Sequence, residues 1–380
     1  MPILTVLAVA VLPVAQVPPA PPIVASPTAS AHTMFDFRPG AVRCDGGIPT
    51  AVSIARPTPS AGAMVRGSDP APVRFSFSID TDGRVVGIKA EPRAMAGGYV
   101  PMPDLQPALA ASRFAAGSAQ ARCTIQYDID ATPLADAPAP LIRRYLTLPH
   151  DAAYFESDIR KRARAVEGDC YKGTGPAPLL RAYPDLEAIP QAPGTLSMTV
   201  AGFDLDTRGK PVRIRTIESD GNAALDAATR AAVTASRFKT DRGRTGCVMP
   251  MFRRQRTPLA APVATPLDGF RNAEGCPADD AKWAYLPTLT FPEPFRRRGI
   301  EGWAIVRYDV APWGQVGNVH VVASEPAAAF GDQARQIMTN ARRAPSARGA
   351  SGCVERVRFK LPEGDEPGEA TPPPPSPPVM

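Results

Sequence analysis

Six cysteines are the residues whose type and spacing most clearly indicate chemistry. They form three pairs separated by 79, 77 and 77 residues. No Cys-x-x-Cys sequence occurs and the chain has three histidines, which disfavours zinc binding and thioredoxin-type redox chemistry. An even number of cysteines in an exported chain indicates structural disulfides. The predicted pairs are Cys44 with Cys123, Cys170 with Cys247, and Cys276 with Cys353.

Two acidic turn sequences are the strongest candidates for catalysis. The Asp-Thr-Asp-Gly of residues 80–83 and the Asp-Thr-Arg-Gly of residues 206–209 resemble the Asp-Thr-Gly of aspartic proteases, in which two carboxylates share a proton. Each has an extra residue before the glycine, and the third such turn, at residues 311–314, has no aspartate. His150 and His320 have no suitably patterned serine or cysteine partner. The sequence therefore predicts no enzyme, no cofactor and no metal site.

Composition and charge indicate a globular protein of several small domains. The chain has 380 residues, 46 prolines and a net charge of +6. The prolines concentrate at residues 13–27, 131–149, 257–266 and 367–378, which predicts domain boundaries and tails. The arginine clusters lack a basic stripe with interleaved aromatic residues, which disfavours nucleic-acid binding.

The amino-terminal segment predicts export. Residues 3–14 are apolar and precede small residues and prolines, as in a secretory signal, and the run is too short to span a bilayer comfortably. No positive charge precedes the run, so residues 1–31 are interpreted as a signal peptide or an N-terminal anchor. A cleavage site after Ala31 and one near Ala15 are equally compatible with the sequence. Membrane association is expected only through this segment, if it is not cleaved.

The same order of elements recurs between the cysteines of each pair, which indicates an internal repeat. A strand, a glycine turn and a second strand form a hairpin, and an amphipathic helix and a third strand follow. The helices are predicted at residues 104–114, 223–238 and 330–344, and each third strand at the second cysteine. Two of these helices end in Ala-Ser-Arg-Phe, closing at Phe114 and Phe238 nine residues before the cysteine; Ala344 occupies the same offset in the third.

The predicted fold class is therefore α+β, with three tandem β-β-α-β units. Each unit is an antiparallel three-stranded sheet with a packed helix. The predicted units are residues 41–130, 170–256 and 270–361, separated by a linker at 131–169 with a charged helix and followed by a proline-rich disordered tail at 362–380. Trp303 and Trp313 flank one predicted strand, where core and hairpin packing is favoured over a ligand platform.

The third unit resembles the TonB carboxy-terminal domain, the periplasmic part of the inner-membrane energy transducer of Gram-negative bacteria. The resemblance rests on Tyr-Leu-Pro at residues 285–287, Phe-Pro at 291–292, Arg-Arg-Gly-Ile-Glu-Gly at 297–302, the turn at Gly314 and the helix from Phe330. Units two and one resemble progressively degraded copies. The resemblance implies a location in the periplasm and a role in envelope transport.

The resemblance also implies a binding mode, in which the last strand of the sheet accepts an extended peptide as an additional strand. In the family that peptide is the TonB box of outer-membrane TonB-dependent receptors. The cationic Arg356, Arg358 and Lys360 would suit a partner with acidic residues, but exposed charges also protect sheet edges against aggregation, and this explanation without a partner is favoured. The alternative function is a scaffold that reuses the domain without energy transduction and contacts another envelope protein. The candidate peptide-binding edge comprises Val354, Arg356, Val357, Arg358, Phe359, Lys360 and Leu361.

Overall fold

The computed structural model shows a mixed α+β protein with several small antiparallel sheets. Residues 1–29 and 363–380, which hold most of the predicted signal segment and the predicted tail, lie outside the described part of the chain. None of the helices in the described part is long and apolar enough to cross a membrane. The structure describes residues 30–65, 69–92, 100–150, 155–166, 168–253, 257–270, 276 and 283–362.

The first unit contains a five-stranded sheet, so the prediction of three strands is wrong here. Its elements are β1 (Ser30–Pro39), β2 (Ala51–Ser53), β3 (Ser60–Val65), β4 (Val73–Ile79), β5 (Val85–Ala90), α1 (Leu105–Ala111), β6 (Arg113–Phe114) and β7 (Gln120–Pro133). The sheet order is β3-β1-β7-β4-β5. Strand β1 joins the sheet because Phe35 and Phe37 are buried in its core. The five-stranded sheet thus extends past the predicted 41–130 at both ends, and β1 begins at Ser30, within the segment interpreted as a signal peptide or anchor.

The predicted linker at 131–169 contains two helices, α2 (Ala139–Thr147) and the charged α3 (Glu156–Val166). They pack on each other through Ile142, Tyr145 and Ile159. Arg143 and Arg144 of α2 form ion pairs with Glu218 and Asp220 in the second unit. Helix α2 therefore joins the first two units rather than only separating them.

The second and third units each contain a three-stranded antiparallel sheet covered by one helix. The sheet orders are β10-β9-β12 and β14-β13-β15, with the hairpin's first strand in the centre. The second unit comprises β8 (Ala177–Leu180), β9 (Ser197–Leu205), β10 (Pro211–Ser219), α4 (Ala223–Ala235), β11 (Arg237–Lys239) and β12 (Arg244–Arg253). The third comprises α5 (Glu293–Arg297), β13 (Gly302–Val310), β14 (Val316–Glu325), α6 (Ala328–Thr339) and β15 (Ala350–Phe359), preceded by a 3₁₀ turn at Asp268–Phe270.

The helices end earlier than predicted, at Ala111, Ala235 and Thr339. In the first two units the serine of Ala-Ser-Arg-Phe terminates the helix in an extended conformation. The Ser112 hydroxyl donates to the Ala108 carbonyl oxygen and accepts the N–H of Ala55, and Ser236 makes the same two bonds with Ala232 and Ala182. The residues that follow are β6 and β11, which pair with β2 and β8. The third strands likewise begin three residues before the predicted cysteine positions, at Gln120, Arg244 and Ala350.

Each hairpin turn is locked to the end of its helix by a glycine with positive φ. Gly83, Gly209 and Gly314 have φ of 75°, 75° and 88°. Their carbonyl oxygens accept the N–H of Phe114, Phe238 and Arg343, respectively. The residue equivalent to the two phenylalanines is therefore Arg343, and the sequence alignment at Ala344 is wrong by one position. Arg343 stays buried because it stacks on the Trp283 ring, 3.5 Å from its centroid, and bonds Tyr308 and Glu355.

The aspartates of the acidic turns hold the backbone. The Asp206 carboxylate accepts the N–H groups of Lys210 and Arg208, and these bonds lower its pKa below the usual value. Asp80 accepts the N–H groups of Arg84 and Asp82 in the same way. The protease-like turns therefore have a structural explanation in the hairpins.

Replacing the turn glycine should destabilise the second unit strongly. A Cβ on Gly209 would lie 1.7 Å from the Phe238 carbonyl oxygen, and its φ of 75° is unfavourable for alanine. We expect Gly209→Ala to lower the free energy of unfolding by about 3 kcal/mol. Gly221→Ala is the matched control, because Gly221 has φ of 89° but nothing within 4 Å of a Cβ, and it should cost about 1 to 2 kcal/mol. Urea unfolding of both variants measures the difference; equal losses would show that the close approach to Phe238 is unimportant.

The first and third units share one hydrophobic core, whereas the second has its own. The shared core includes Ile88 of β5 and Ala327 next to α6, whose backbones form a bridge. Arg298 of the third unit is buried and forms a bidentate ion pair with Asp104 of the first, with N–O distances of 2.5 Å. The tandem units therefore do not pack as independent domains.

Candidate functional site

Strand β15 forms one edge of the third sheet. It pairs antiparallel with β13, with Phe359 opposite Gly302 and Val357 opposite Ala304. No other described strand pairs with β15 on its outer side. Residues 271–275 and 277–282, on either side of Cys276, lie outside the described part. Within that scope β15 is an edge able to accept another strand.

The two faces of β15 differ in character. Val357 and Phe359 pack on the core beneath α6, and Phe359 is fully buried. On the opposite face, Arg356 donates to the Thr265 carbonyl oxygen, and Arg358 is exposed. The structure thus brings the predicted edge residues together on one strand, with the arginines away from the helix.

Lys360 and Leu361, which belong to the predicted edge, lie just beyond the end of β15 at Phe359. The N–H of Leu361 is directed inward, where it donates to the Glu301 carboxylate at 2.9 Å. Because backbone groups alternate along a strand, the N–H groups of Val354, Arg356 and Arg358 point to the open side. These three residues offer the hydrogen bonds for a partner strand.

Residues 287–361 match the family model described as Gram-negative bacterial TonB protein C-terminal. The match supports a TonB C-terminal domain in the third unit and indicates an envelope protein related to transport. The match lies within the third unit. A search of curated proteins finds no match.

The first unit shows what occupies the equivalent edge when a strand is added. Strand β7 is the counterpart of β15 in the TonB C-terminal domain, since Cys123 and Cys353 hold the same position in the two strands. Residues 33–39 of β1 pair antiparallel with residues 127–133 of β7, with Phe37 opposite Ile129. Closer to the disulfide, Thr124 exchanges both backbone hydrogen bonds with Arg43, at 2.7 and 3.0 Å. The edge of the first unit is therefore filled by the chain itself.

The second unit has a modified edge. The hydroxyl of Tyr171 donates to the Val248 carbonyl oxygen and accepts the Val248 N–H, at 3.1 and 3.3 Å. Two residues further along β12, Pro250 has no N–H to offer, as is usual for a proline on the outer side of an edge strand. Val248 and Pro250 are the counterparts of Val354 and Arg356. The second edge is thus closed to a partner at two consecutive outward positions, and Pro250 was a signal for this in the sequence.

The three predicted disulfides are confirmed: Cys44–Cys123, Cys170–Cys247 and Cys276–Cys353. Each joins the beginning of a unit to its last strand. In the TonB C-terminal domain, the disulfide fixes β15 next to the segment that leads into the unit. The disulfides therefore define the position of each edge strand.

The other candidate residues do not assemble into a reactive centre. Trp303 is buried and donates to the Pro262 carbonyl oxygen, whereas Trp313 is 70% exposed at the hairpin turn. The Nδ1–H of His150 donates to the Leu148 carbonyl oxygen, and His320 is exposed on β14. Within the described ranges no group of three or more histidine, cysteine or acidic residues is placed to hold a metal ion. Among the predicted candidates, the edge of β15 is the one with backbone groups placed to bind a partner strand.

A second concavity lies beside the second unit. This cleft of about 610 Å³ is mostly apolar and lies between the helix pair α2–α3 and the sheet edge at β12. Its wall includes Tyr171 and Pro250, the residues that close the edge of β12. The cleft thus marks the side of the second unit from which a strand would have to approach.

Proposed function

We propose that this chain is a non-enzymatic protein of the periplasm whose TonB C-terminal domain binds an extended segment of a partner as an additional strand on β15. The partner class is the TonB box of an outer-membrane TonB-dependent receptor or an equivalent segment of another envelope protein. Neither nucleic acid nor a cofactor takes part. If the partner is an outer-membrane receptor, this binding couples the receptor to energy transduction.

The observation that supports this proposal is the different state of three equivalent edges. The first is filled by β1 and by Gly40 and Arg43, which follow it, and the second is closed by Tyr171 and Pro250. The third has outward backbone groups at Val354, Arg356 and Arg358 and no described strand beside it. A protein that had merely to avoid aggregation would have reason to close all three edges.

We also propose that the first two units are diverged copies of the third. All three have a disulfide of nearly the same span, a positive-φ glycine bonded to the residue that follows the helix, and a short bridge beside it. Leu180 and Tyr285 correspond in this bridge, because they pair with Arg237 and Arg342. The three copies share this framework, but the edge at β7 is filled and the edge at β12 is closed to a partner strand at two outward positions.

The decisive experiment is a titration of the oxidised full-length chain with a panel of TonB-box peptides, followed by backbone amide shifts. The full chain is required because the first and third units share a core. Shifts concentrated in residues 354–359 support strand addition. A folded protein with no shifts there contradicts it and favours the scaffold alternative.

A proline on the open side of β15 should abolish binding without unfolding the sheet. Arg358→Pro removes an N–H that points away from β13, so the ladder with β13 is retained. We expect the affinity for a TonB-box peptide to fall at least about tenfold, since an outward hydrogen bond is lost and the added ring blocks approach. Arg358→Lys keeps both the N–H and the charge, and should stay within about twofold of the wild type. Equal affinities of the two variants would exclude backbone pairing at this position.

A further inference from the structure

The pairing of β1 with β7 shows the direction and register in which a strand binds to an edge of this type. β1 runs antiparallel to β7, with Pro39 opposite Tyr127, Phe37 opposite Ile129 and Phe35 opposite Ala131. The chain continues along the same edge, where the Gly40 N–H donates to the Gln126 carbonyl oxygen at 2.7 Å. Residues 33–43 thus provide an example of an antiparallel segment added to the outer side of β7.

The pairing register of β1 on β7 can be applied to β15 because two positions of β7 match two positions of β15. Cys123 lies opposite Phe77 of β4, and Cys353 lies opposite Tyr308 of β13. Phe77 and Tyr308 each lie six residues before the glycine of their hairpin turn. Further along, Tyr127 lies opposite Val73 and Val357 opposite Ala304, so no residue is inserted between the two positions. Accordingly Asp128, Ile129 and Asp130 correspond to Arg358, Phe359 and Lys360.

The charges at these positions are opposite in sign. Asp128 and Asp130 lie in the part of β7 that pairs with β1. Arg38 of β1 lies opposite Asp128 and forms an ion pair with Asp130 at 2.7 Å. Arg358 and Lys360 take these places in the third unit. Both are exposed, and neither forms an ion pair with a residue in the described ranges. A strand added there meets cations where β1 meets carboxylates.

The apolar position is preserved. Phe37 is 1% exposed, and it packs where β1 passes the core-facing Ile129. Phe359, the counterpart of Ile129, is fully buried at the same level of the third unit. An apolar side chain on the partner would extend this core in the way that Phe37 does.

Building on the proposed function, we infer that the partner strand runs antiparallel to β15. It presents acidic side chains to Arg358 and Lys360 and an apolar side chain opposite Phe359. The partner is therefore an extended peptide with alternating acidic and apolar residues. Its amino-terminal end lies beyond Leu361 and its carboxy-terminal end lies beside Val354.

The chain supplies its own probes for this inference. Three synthetic peptides carry residues 33–42: an acidic one with Arg38→Glu, the native one, and a basic one with Asp36→Lys. Each is titrated into the oxidised full-length chain at low ionic strength, and amide shifts on β15 and β7 are followed separately. One exposed ion pair changes affinity by about two- to fivefold, so the acidic peptide should bind β15 about tenfold more tightly than the basic one. Added salt should reduce this ratio.

A charge-reversed protein and a nitroxide label complete the test. Arg358→Glu combined with Lys360→Glu should reverse the order of the acidic and basic peptides, which a loss of folding would not do. A nitroxide at the carboxy terminus of the acidic peptide should broaden the amides of Val354 and Glu355 most. The same label at the amino terminus should broaden those near Leu361.

Each outcome separates this inference from the proposed function. Binding on β15 with the carboxy-terminal label near Leu361 would overturn the antiparallel orientation and leave strand addition standing. Equal affinities of the acidic and basic peptides would overturn the charge preference. Binding of TonB-box peptides to β15 without binding of the acidic peptide would overturn the inference alone, whereas a β15 that no peptide shifts would overturn both.

Discussion

Removal of the disulfide between Cys170 and Cys247 is expected to lower the free energy of unfolding of the second unit by about 4 to 5 kcal/mol. The disulfide closes a span of 77 residues, so its loss greatly increases the conformational entropy of the unfolded chain. Alanine at both positions avoids a buried hydroxyl, since Cys170 and Cys247 are at most 1% exposed. The second unit should unfold first because its core is separate from the one that the other units share.

Urea unfolding combined with amide hydrogen exchange measures this effect in each unit. The matched control replaces Cys276 and Cys353 by alanine, because that disulfide also spans 77 residues but lies in the shared core. The control should lose a similar free energy while the first and third units continue to unfold together. A loss below about 1 kcal/mol for the second unit, or one joint transition of all three units in the Cys170 and Cys247 variant, would contradict the expectation.

Replacing Arg298 by methionine should cost about 3 to 5 kcal/mol, because it leaves the Asp104 carboxylate buried without its cation. The Arg298 side chain is 1% exposed and binds both carboxylate oxygens of Asp104. It also donates to the carbonyl oxygens of Arg56 and Gly194, which come from the first unit and from the chain leading into β9. The remaining bond to Asp104, from the N–H of Thr58, cannot compensate for the lost charge pair.

A double-mutant cycle distinguishes the ion pair from lost packing. Arg298→Met combined with Asp104→Leu removes both charges and should be clearly more stable than Arg298→Met alone. Urea unfolding of the four proteins gives the coupling energy. Additive losses in the double variant would mean that the pair contributes little, and that the shared hydrophobic core alone joins the first and third units.

The local patterns in the sequence determined much of each unit. Evenly spaced cysteines predicted the three disulfides, and alternating residues around a glycine predicted the hairpins, because a strand with one buried face and a left-handed turn are specified by neighbouring residues. The motif of residues 285–302 located the TonB C-terminal domain. The site followed from it, since β15 was the last strand of that unit. Boundaries were less accurate: the ends of the helices depended on bonds from Ser112 and Ser236 to distant backbone groups.

Only the tertiary structure decided how the three units differ. Residues 33–39, which follow the segment interpreted as a signal peptide or anchor, pair with residues 127–133 of β7, about 90 residues away along the chain. Tyr171 closes the edge of β12 across 77 residues, and Arg298 meets Asp104 across 194. Such contacts leave no periodicity in the sequence, because the partners are chosen by the fit of folded surfaces rather than by neighbouring residues. The sequence by itself determined which framework is repeated, and the packing of distant segments decided which edge stays open.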